Sequence, residues 1–185
     1  NMQRRDFLTL AAAGVTAASL DTNFIRQAMA TDSYALQAGE TAINLGDTGT
    51  NPTNGWLDNG VCPGPMLRRR RGDMLNVTVT NDLPVPTAVH WHGIRNVNEM
   101  DGVPNLTQAP IEPGDNFVYQ VPLRESGTYW YHAHNMGWEQ VARGLYGPLI
   151  IDADDDPAVD HDFTLMIDDW RLDQDGQIDA ASFGS

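Results

Sequence analysis

The chain has 185 residues, with 25 acidic and 11 basic side chains and a formal charge of −14. That balance excludes binding to nucleic acid or anionic lipid by charge, since both are polyanions. A single cysteine, Cys62, excludes an intrachain disulfide, and the length suits one domain with a substantial core, or one domain and a piece of another.

Residues 1–30 read as an export signal. Arg4-Arg5-Asp6-Phe7-Leu8 is a twin-arginine pattern, an apolar Ala-rich stretch follows over residues 10–20, and Ala28-Met29-Ala30 offers a small-residue cleavage site. The apolar run is too short and interrupted to span a bilayer, and an ordinary amphipathic helix is the alternative. Cleavage after Ala30 predicts a periplasmic or secreted body with no membrane segment.

Residues 34–45 are mildly β-like. Residues 46–64 are rich in Gly, Asn, Pro and Thr and predict a long loop. Cys62 sits in Gly60-Val61-Cys62-Pro63-Gly64-Pro65 with no histidine nearby, and reads as a small packed residue. The one basic run, Arg68 to Arg71, reads as a solvated strand and its end. Leu75-Asn76-Val77-Thr78-Val79-Thr80 alternates cleanly, with Leu75, Val77 and Val79 facing in. Strands are predicted over residues 88–94, 116–123, 128–134 and 146–153, with a long loop over 96–115. Residues 135–144 predict a short helix ended by Gly144. Residues 152–157 are acidic and close on Pro157, and residues 163–167 are again strand-like. Short strands punctuated by turns argue for an all-β, antiparallel sandwich. The expected division is a first domain over residues 31–153, then an acidic linker and the start of a second domain over 154–185.

Four of the five histidines form two His-x-His pairs, His90-Trp91-His92 and His132-Ala133-His134. Side chains alternate along a strand, so each pair puts both imidazoles on one face. Burying four imidazoles without partners would cost several kcal/mol. A metal satisfies them, and imidazole suits copper, zinc and iron. A blue-copper site is absent, because no cysteine accompanies a histidine. A closed zinc site would more usually carry thiolates. A cupin-like mononuclear site would want a glutamate soon after its His-x-His, and Glu99 lies seven residues past His92. His161, between Asp160 and Asp162, reads as solvated.

From about Gly60 to Trp170 the sequence resembles the multicopper oxidases. The markers are Pro63-Gly64-Pro65, Gly72-Asp73, Asn81-Asp82-Leu83, His90-Trp91-His92-Gly93, Asp101-Gly102-Val103-Pro104, Pro113-Gly114, Gly127-Thr128-Tyr129-Trp130-Tyr131-His132-Ala133-His134 and Gly144-Leu145-Tyr146-Gly147-Pro148-Leu149-Ile150. The resemblance implies a Greek-key β-sandwich of cupredoxin type, the first such domain of the enzyme. It implies copper as cofactor, in a trinuclear cluster. His90 would bind the type 2 copper, and His92, His132 and His134 the paired type 3 coppers. The partner histidines and the type 1 copper would lie in a later, C-terminal domain. Asp101 matches an acid that helps deliver protons to oxygen, and a plain Asp-Gly turn is the alternative. Trp91, Tyr129, Trp130 and Tyr131 read as packing around the site. The implied partners are a small-molecule or metal-ion reductant, O2 and the remaining domains of the same enzyme. A non-catalytic copper-binding cupredoxin protein is the rival function.

Overall fold

Among the described residues, alternation of apolar and polar side chains builds two four-stranded sheets whose apolar faces meet. The computed structural model describes residues 33–45 and 52–183. The export-signal reading of residues 1–30 therefore lies outside the described residues. In chain order the strands are β1 (Ser33–Ile43), β2 (Thr53–Asp58), β3 (Leu67–Arg70), β4 (Met74–Asn81), β5 (Val89–His92), β6 (Asn116–Pro122), β7 (Gly127–Ala133) and β8 (Tyr146–Asp152). One sheet has the order β2-β1-β4-β6 and the other β3-β8-β7-β5. The chain changes sheet at every connection from β2 to β7, and the result is the expected Greek-key sandwich. Strand β3 runs parallel to β8, while β7 is antiparallel to both β8 and β5. No described helix is long and apolar enough to cross a membrane.

The core lies between the sheets. Leu75, Val77 and Val79 of β4 are fully buried, as predicted, and meet Tyr119 and Val121 of β6, Trp91 of β5, Tyr131 of β7 and Leu149 of β8. Each such side chain contributes roughly 1.5–3 kcal/mol relative to exposure. Tyr131 explains two of the glycine motifs. Its hydroxyl donates to the Pro65 carbonyl at 2.9 Å. A Cβ at Gly64 would meet that hydroxyl at 2.5 Å, and one at Gly147 at 2.3 Å. The Pro-Gly-Pro and Tyr-Gly-Pro segments thus leave room for the phenol that seats β7.

Three predicted elements differ. Residues 53–58 are a strand, β2, inside the stretch expected to be loop. Its ladder with β1 and the burial of Trp56 and Leu57 outweigh the turn-rich composition. The helix expected over 135–144 is only α1 (Gly137–Gln140). Met136 before it has φ +47° and Gly144 after it φ +114°, so the chain turns sharply on either side. Residues 163–167 pair with no strand among the described residues, and Phe163, Leu165 and Ile167 are 81, 86 and 93 % exposed.

Residues 171–183 return to β2. Thr53 Oγ1 donates to the Gly176 carbonyl at 2.7 Å, and the Arg143 guanidinium lies over the rings of Trp56 and Phe183. Cys62 donates to the Tyr146 hydroxyl at 3.3 Å, and burial pushes its thiol pKa up, as suits a packed, unreactive residue. His161 is exposed.

Asp58, at the end of β2, is 2 % exposed, and its Oδ1 has no hydrogen-bond partner. Burial raises its pKa from 3.8 to about 7. The folded state then holds a proton that the unfolded chain releases, so stability falls as pH rises from about 4 through 7. Asp58→Asn is expected to remove that slope and to be the more stable form at pH 8, by about 1–3 kcal/mol. Urea unfolding at pH 5 and pH 8 measures it. Parallel pH dependence in both proteins would show that Asp58 does not titrate in this range.

Candidate metal centre

The register of β5 against β7 sets the site. The antiparallel pairs are Val89↔Ala133, His90↔His132, Trp91↔Tyr131 and His92↔Trp130. Val89, Trp91, Tyr131 and Ala133 form the inward row and are all buried. The alternate row, His90, His92, Trp130 and His132, therefore faces outward. A slip of one residue would expose the indole and phenol and bury the imidazoles, so the apolar row holds the register. His134 lies one residue past β7. Its N–H donates to the Ala88 carbonyl at 2.8 Å, which extends the alternation to the fourth histidine.

The four rings cluster. His90 lies 5.7 Å from His92, 5.4 Å from His132 and 5.2 Å from His134, centroid to centroid. His92–His132 is 5.5 Å and His132–His134 6.0 Å. His90, His92 and His132 each offer a ring nitrogen within 4.8 Å of the others. His134 stands outside that triad and joins the cluster through its ring contacts with His90 and His132.

Hydrogen bonds assign which nitrogens are free. The His90 Nδ1 is 2.7 Å from the Asp101 carbonyl oxygen, so Nδ1 carries the proton and Nε2 keeps its lone pair. The His132 Nδ1 is 3.0 Å from the Ala133 carbonyl, which likewise frees Nε2. That Nε2 faces His92 Nδ1 at 3.3 Å. Two nitrogens so spaced, each about 2.0 Å from a common ion, would subtend about 110° there, an ordinary coordination angle. Burial pushes the His132 pKa down to about 4, with smaller contributions from the other three imidazoles and an opposing one from the Ala133 carbonyl. His132 is thus neutral at pH 7, the form a metal requires. The Trp130 ring lies 4.2 Å from His132 and 5.0 Å from His92, covering one side of the pair.

Asp101 reaches the site by its backbone. A short 3₁₀ turn, Asn98–Met100, leads into it. Gly102 follows with φ +75°, and a Cβ there would lie 1.8 Å from the Val89 carbonyl oxygen. Only glycine lets this loop press against β5, and the pressing brings the Asp101 carbonyl onto His90. The Asp101 carboxylate stays farther off, with Oδ1 3.6 Å from His90 Nδ1.

Donor chemistry fits copper: imidazole rings gathered on one face and no competing thiolate beside them. A sequence profile described as multicopper oxidase matches residues 41–156. The chain belongs to the multicopper oxidase family. It is 43 % identical over 139 residues to copper resistance protein A of Pseudomonas syringae pv. tomato, covering 74 % of this chain and 22 % of that one. Laccase-1 of Cryptococcus neoformans var. grubii is 39 % identical over 134 residues, covering 68 % and 21 %. Among solved structures, a multicopper oxidase from Pseudomonas thermotolerans superposes with a TM-score of 0.75 at 38 % identity, covering 79 % of this chain and 35 % of that one. Lac15 from a marine microbial metagenome gives 0.74 at 43 %, covering 80 % and 40 %. The chain spans about a fifth of the length of the curated relatives it matches. Family membership sets aside the cupin-like alternative. Sequence reasoning quoted Gly102 only as part of a motif, without its close approach to β5, and passed over Gln140, which looks like any polar helix residue.

Proposed function

We propose that this chain supplies four of the copper ligands of a multicopper oxidase, His90, His92, His132 and His134, at a trinuclear cluster completed by histidines of another domain. The whole enzyme would take electrons singly from a phenolic or metal-ion reductant, through a type 1 copper in a later domain, and reduce O2 to water. The observation that carries this reading is the cross-strand approach of His92 Nδ1 and His132 Nε2 at 3.3 Å, with His90 beside them. Copper bound there would supply reversible one-electron redox chemistry.

The chain's own residues do the positioning. The Asp101 carbonyl fixes the tautomer of His90, the Ala133 carbonyl fixes that of His132, and Trp130 shields the latter from water on one side. The Asp101 carboxylate, 3.6 Å from His90, would hold and pass a proton at Oδ1. Residues 31–153 would be the first cupredoxin domain and 154–185 the linker and start of the next. The apolar row Phe163, Leu165 and Ile167, exposed and unpaired among the described residues, supports a strand that pairs beyond residue 185. Residues 1–30 would direct twin-arginine export to the periplasm or beyond, which suits a body whose acidity disfavours membrane and nucleic-acid partners.

The test is stoichiometry. The copper-loaded whole protein is expected to consume one O2 for every four one-electron reductants, with no hydrogen peroxide released. Peroxide as the product, or loss of all copper on dialysis at pH 7, would overturn the reading. Asp101→Asn is expected to slow reoxidation of the pre-reduced protein by oxygen about tenfold or more. Copper content should stay unchanged, because the contact with His90 is made by the backbone. An unchanged reoxidation rate would reduce the carboxylate to part of an Asp-Gly turn.

A further inference from the structure

Gln140 is a fully buried polar side chain outside the set of candidate ligands. Its carboxamide is used at both atoms. Thr87 Oγ1 donates to Gln140 Oε1 at 2.7 Å, and Gln140 Nε2 donates to the Pro86 carbonyl at 2.9 Å. The same carbonyl accepts from Asn135 Nδ2 at 2.6 Å. Pro86 and Thr87 lead into β5, which carries His90 and His92. Asn135 and Gln140 belong to the segment that leaves β7 just after His134. Thr87 also exchanges both backbone hydrogen bonds with Ile111, at 3.0 and 2.7 Å, near the far end of the loop that carries Asp101. One carboxamide thus ties together the two histidine-bearing segments and, through Thr87, the loop that orients His90.

The site needs such a tie. The ladder between β5 and β7 is only four residue pairs long, from Val89↔Ala133 to His92↔Trp130. One further bond, from the His134 N–H to the Ala88 carbonyl, extends it toward Pro86. Beyond that bond the Gln140 and Asn135 contacts take over. An apolar side chain could fill the same volume, but it would strand the Thr87 hydroxyl and strip one donor from Pro86. A primary amide offers an acceptor and a donor at one end without ionising, as these two partners require. Buried hydrogen bonds that share partners reinforce one another and stiffen the segments they join.

We propose that Gln140 is a positioning residue that holds the His90/His92 and His132/His134 pairs in the mutual placement a metal needs. This rests on the copper reading above. The experiment uses the copper-loaded whole protein and compares Gln140→Leu with three others. Thr87→Val removes one of the hydrogen bonds at nearly constant shape. Val77→Ala lowers stability from the opposite sheet without touching the site. His132→Ala removes a ligand. The readouts are copper affinity against a competing chelator, the EPR spectrum of bound Cu(II), and the thermal midpoint.

Gln140→Leu is expected to weaken copper binding roughly 10–100-fold and to change the Cu(II) hyperfine splitting. Val77→Ala should lower the midpoint with affinity and spectrum unchanged. Thr87→Val should shift both in the same direction as Gln140→Leu but less, and it decides the matter if Gln140→Leu does not fold. Wild-type affinity and spectrum in Gln140→Leu, or in Thr87→Val where that variant decides, would overturn the proposal. Equal shifts in Gln140→Leu and Val77→Ala would also overturn it, by showing a general effect of stability. Loss of copper in His132→Ala alone would leave the copper reading standing in either case. Wild-type binding in His132→Ala would overturn the copper reading and the proposal with it.

Discussion

On the proposed function, His132→Ala is expected to lower copper affinity by well over 100-fold and to abolish oxygen consumption by the whole protein. Loss of an outer partner costs roughly 10–100-fold, and His132 is proposed as a ligand itself. Its Nε2 faces His92 Nδ1 at 3.3 Å, and its ring touches those of His90 and His134. Removing it leaves His92 Nδ1 without the ring nitrogen that faces it. The same side chain gives a pH signature in the metal-free protein. Its pKa is about 4 in the fold against an ordinary value of 6.5. The neutral form is therefore favoured by folding, and that stability is complete above about pH 6.5 and is lost as pH falls toward 4. His132→Ala should flatten the acid limb of the stability profile across this window. Copper content by atomic absorption, oxygen uptake, and urea midpoints from pH 4 to 7 measure these effects. Retained copper and retained turnover would remove His132 from the metal centre.

Gly102→Ala is expected to destabilise the protein by about 2–5 kcal/mol and to disturb His90. The added Cβ would lie 1.8 Å from the Val89 carbonyl oxygen, 2.5 Å from its carbon and 2.9 Å from the His90 nitrogen. All three are backbone atoms of a paired strand, so none can swing away. The left-handed φ of +75° adds about 1–2 kcal/mol for any L side chain, and relief of the overlap about 1–3 more. The loop must lift, and the Asp101 carbonyl lifts with it, so the His90 ring loses the contact that holds its proton on Nδ1. Gly114→Ala is the control. Its φ of +85° is similar, but a Cβ there meets nothing within 4 Å, so only the conformational cost applies. Denaturation midpoints of the two variants, with the Cu(II) EPR spectrum, make the comparison. Equal losses would mean that the close approach to β5 contributes nothing.

His132 and Gly102 act at different depths of one site. His132 is a candidate donor that the sequence displays openly, as half of a His-x-His pair. Gly102 sits in the loop that follows β5, beside an aspartate, where an Asp-Gly turn is an ordinary reading. Its constraint comes from the Val89 carbonyl, which no local pattern reveals.

Much of the fold was legible because period-two alternation is local. Leu75, Val77 and Val79 could be placed in the core from six consecutive residues, and they are fully buried. The same alternation put both members of each His-x-His pair on one face. Strand β2 was not legible, because Thr53, Asn54 and Gly55 are turn-formers by composition and become strand only through pairing with β1. Residues 163–167 show the converse: the strand pattern is present, and no ladder forms among the described residues.

By itself the sequence determined the candidate ligand types, their pairwise spacing, the family and the sandwich architecture, since each follows from residue identity or short-range periodicity. Tertiary structure alone decided that His90 stands opposite His132, that His92 Nδ1 and not Nε2 faces the His132 lone pair, and that Asp101 holds His90 by its carbonyl and not its carboxylate. It also decided that Gln140 joins segments more than fifty residues apart. The physical reason is that register, ring orientation and buried hydrogen bonds depend on which distant atoms share a space, and the packing of Trp91 against Tyr119 and Tyr131 settles that space for the whole site.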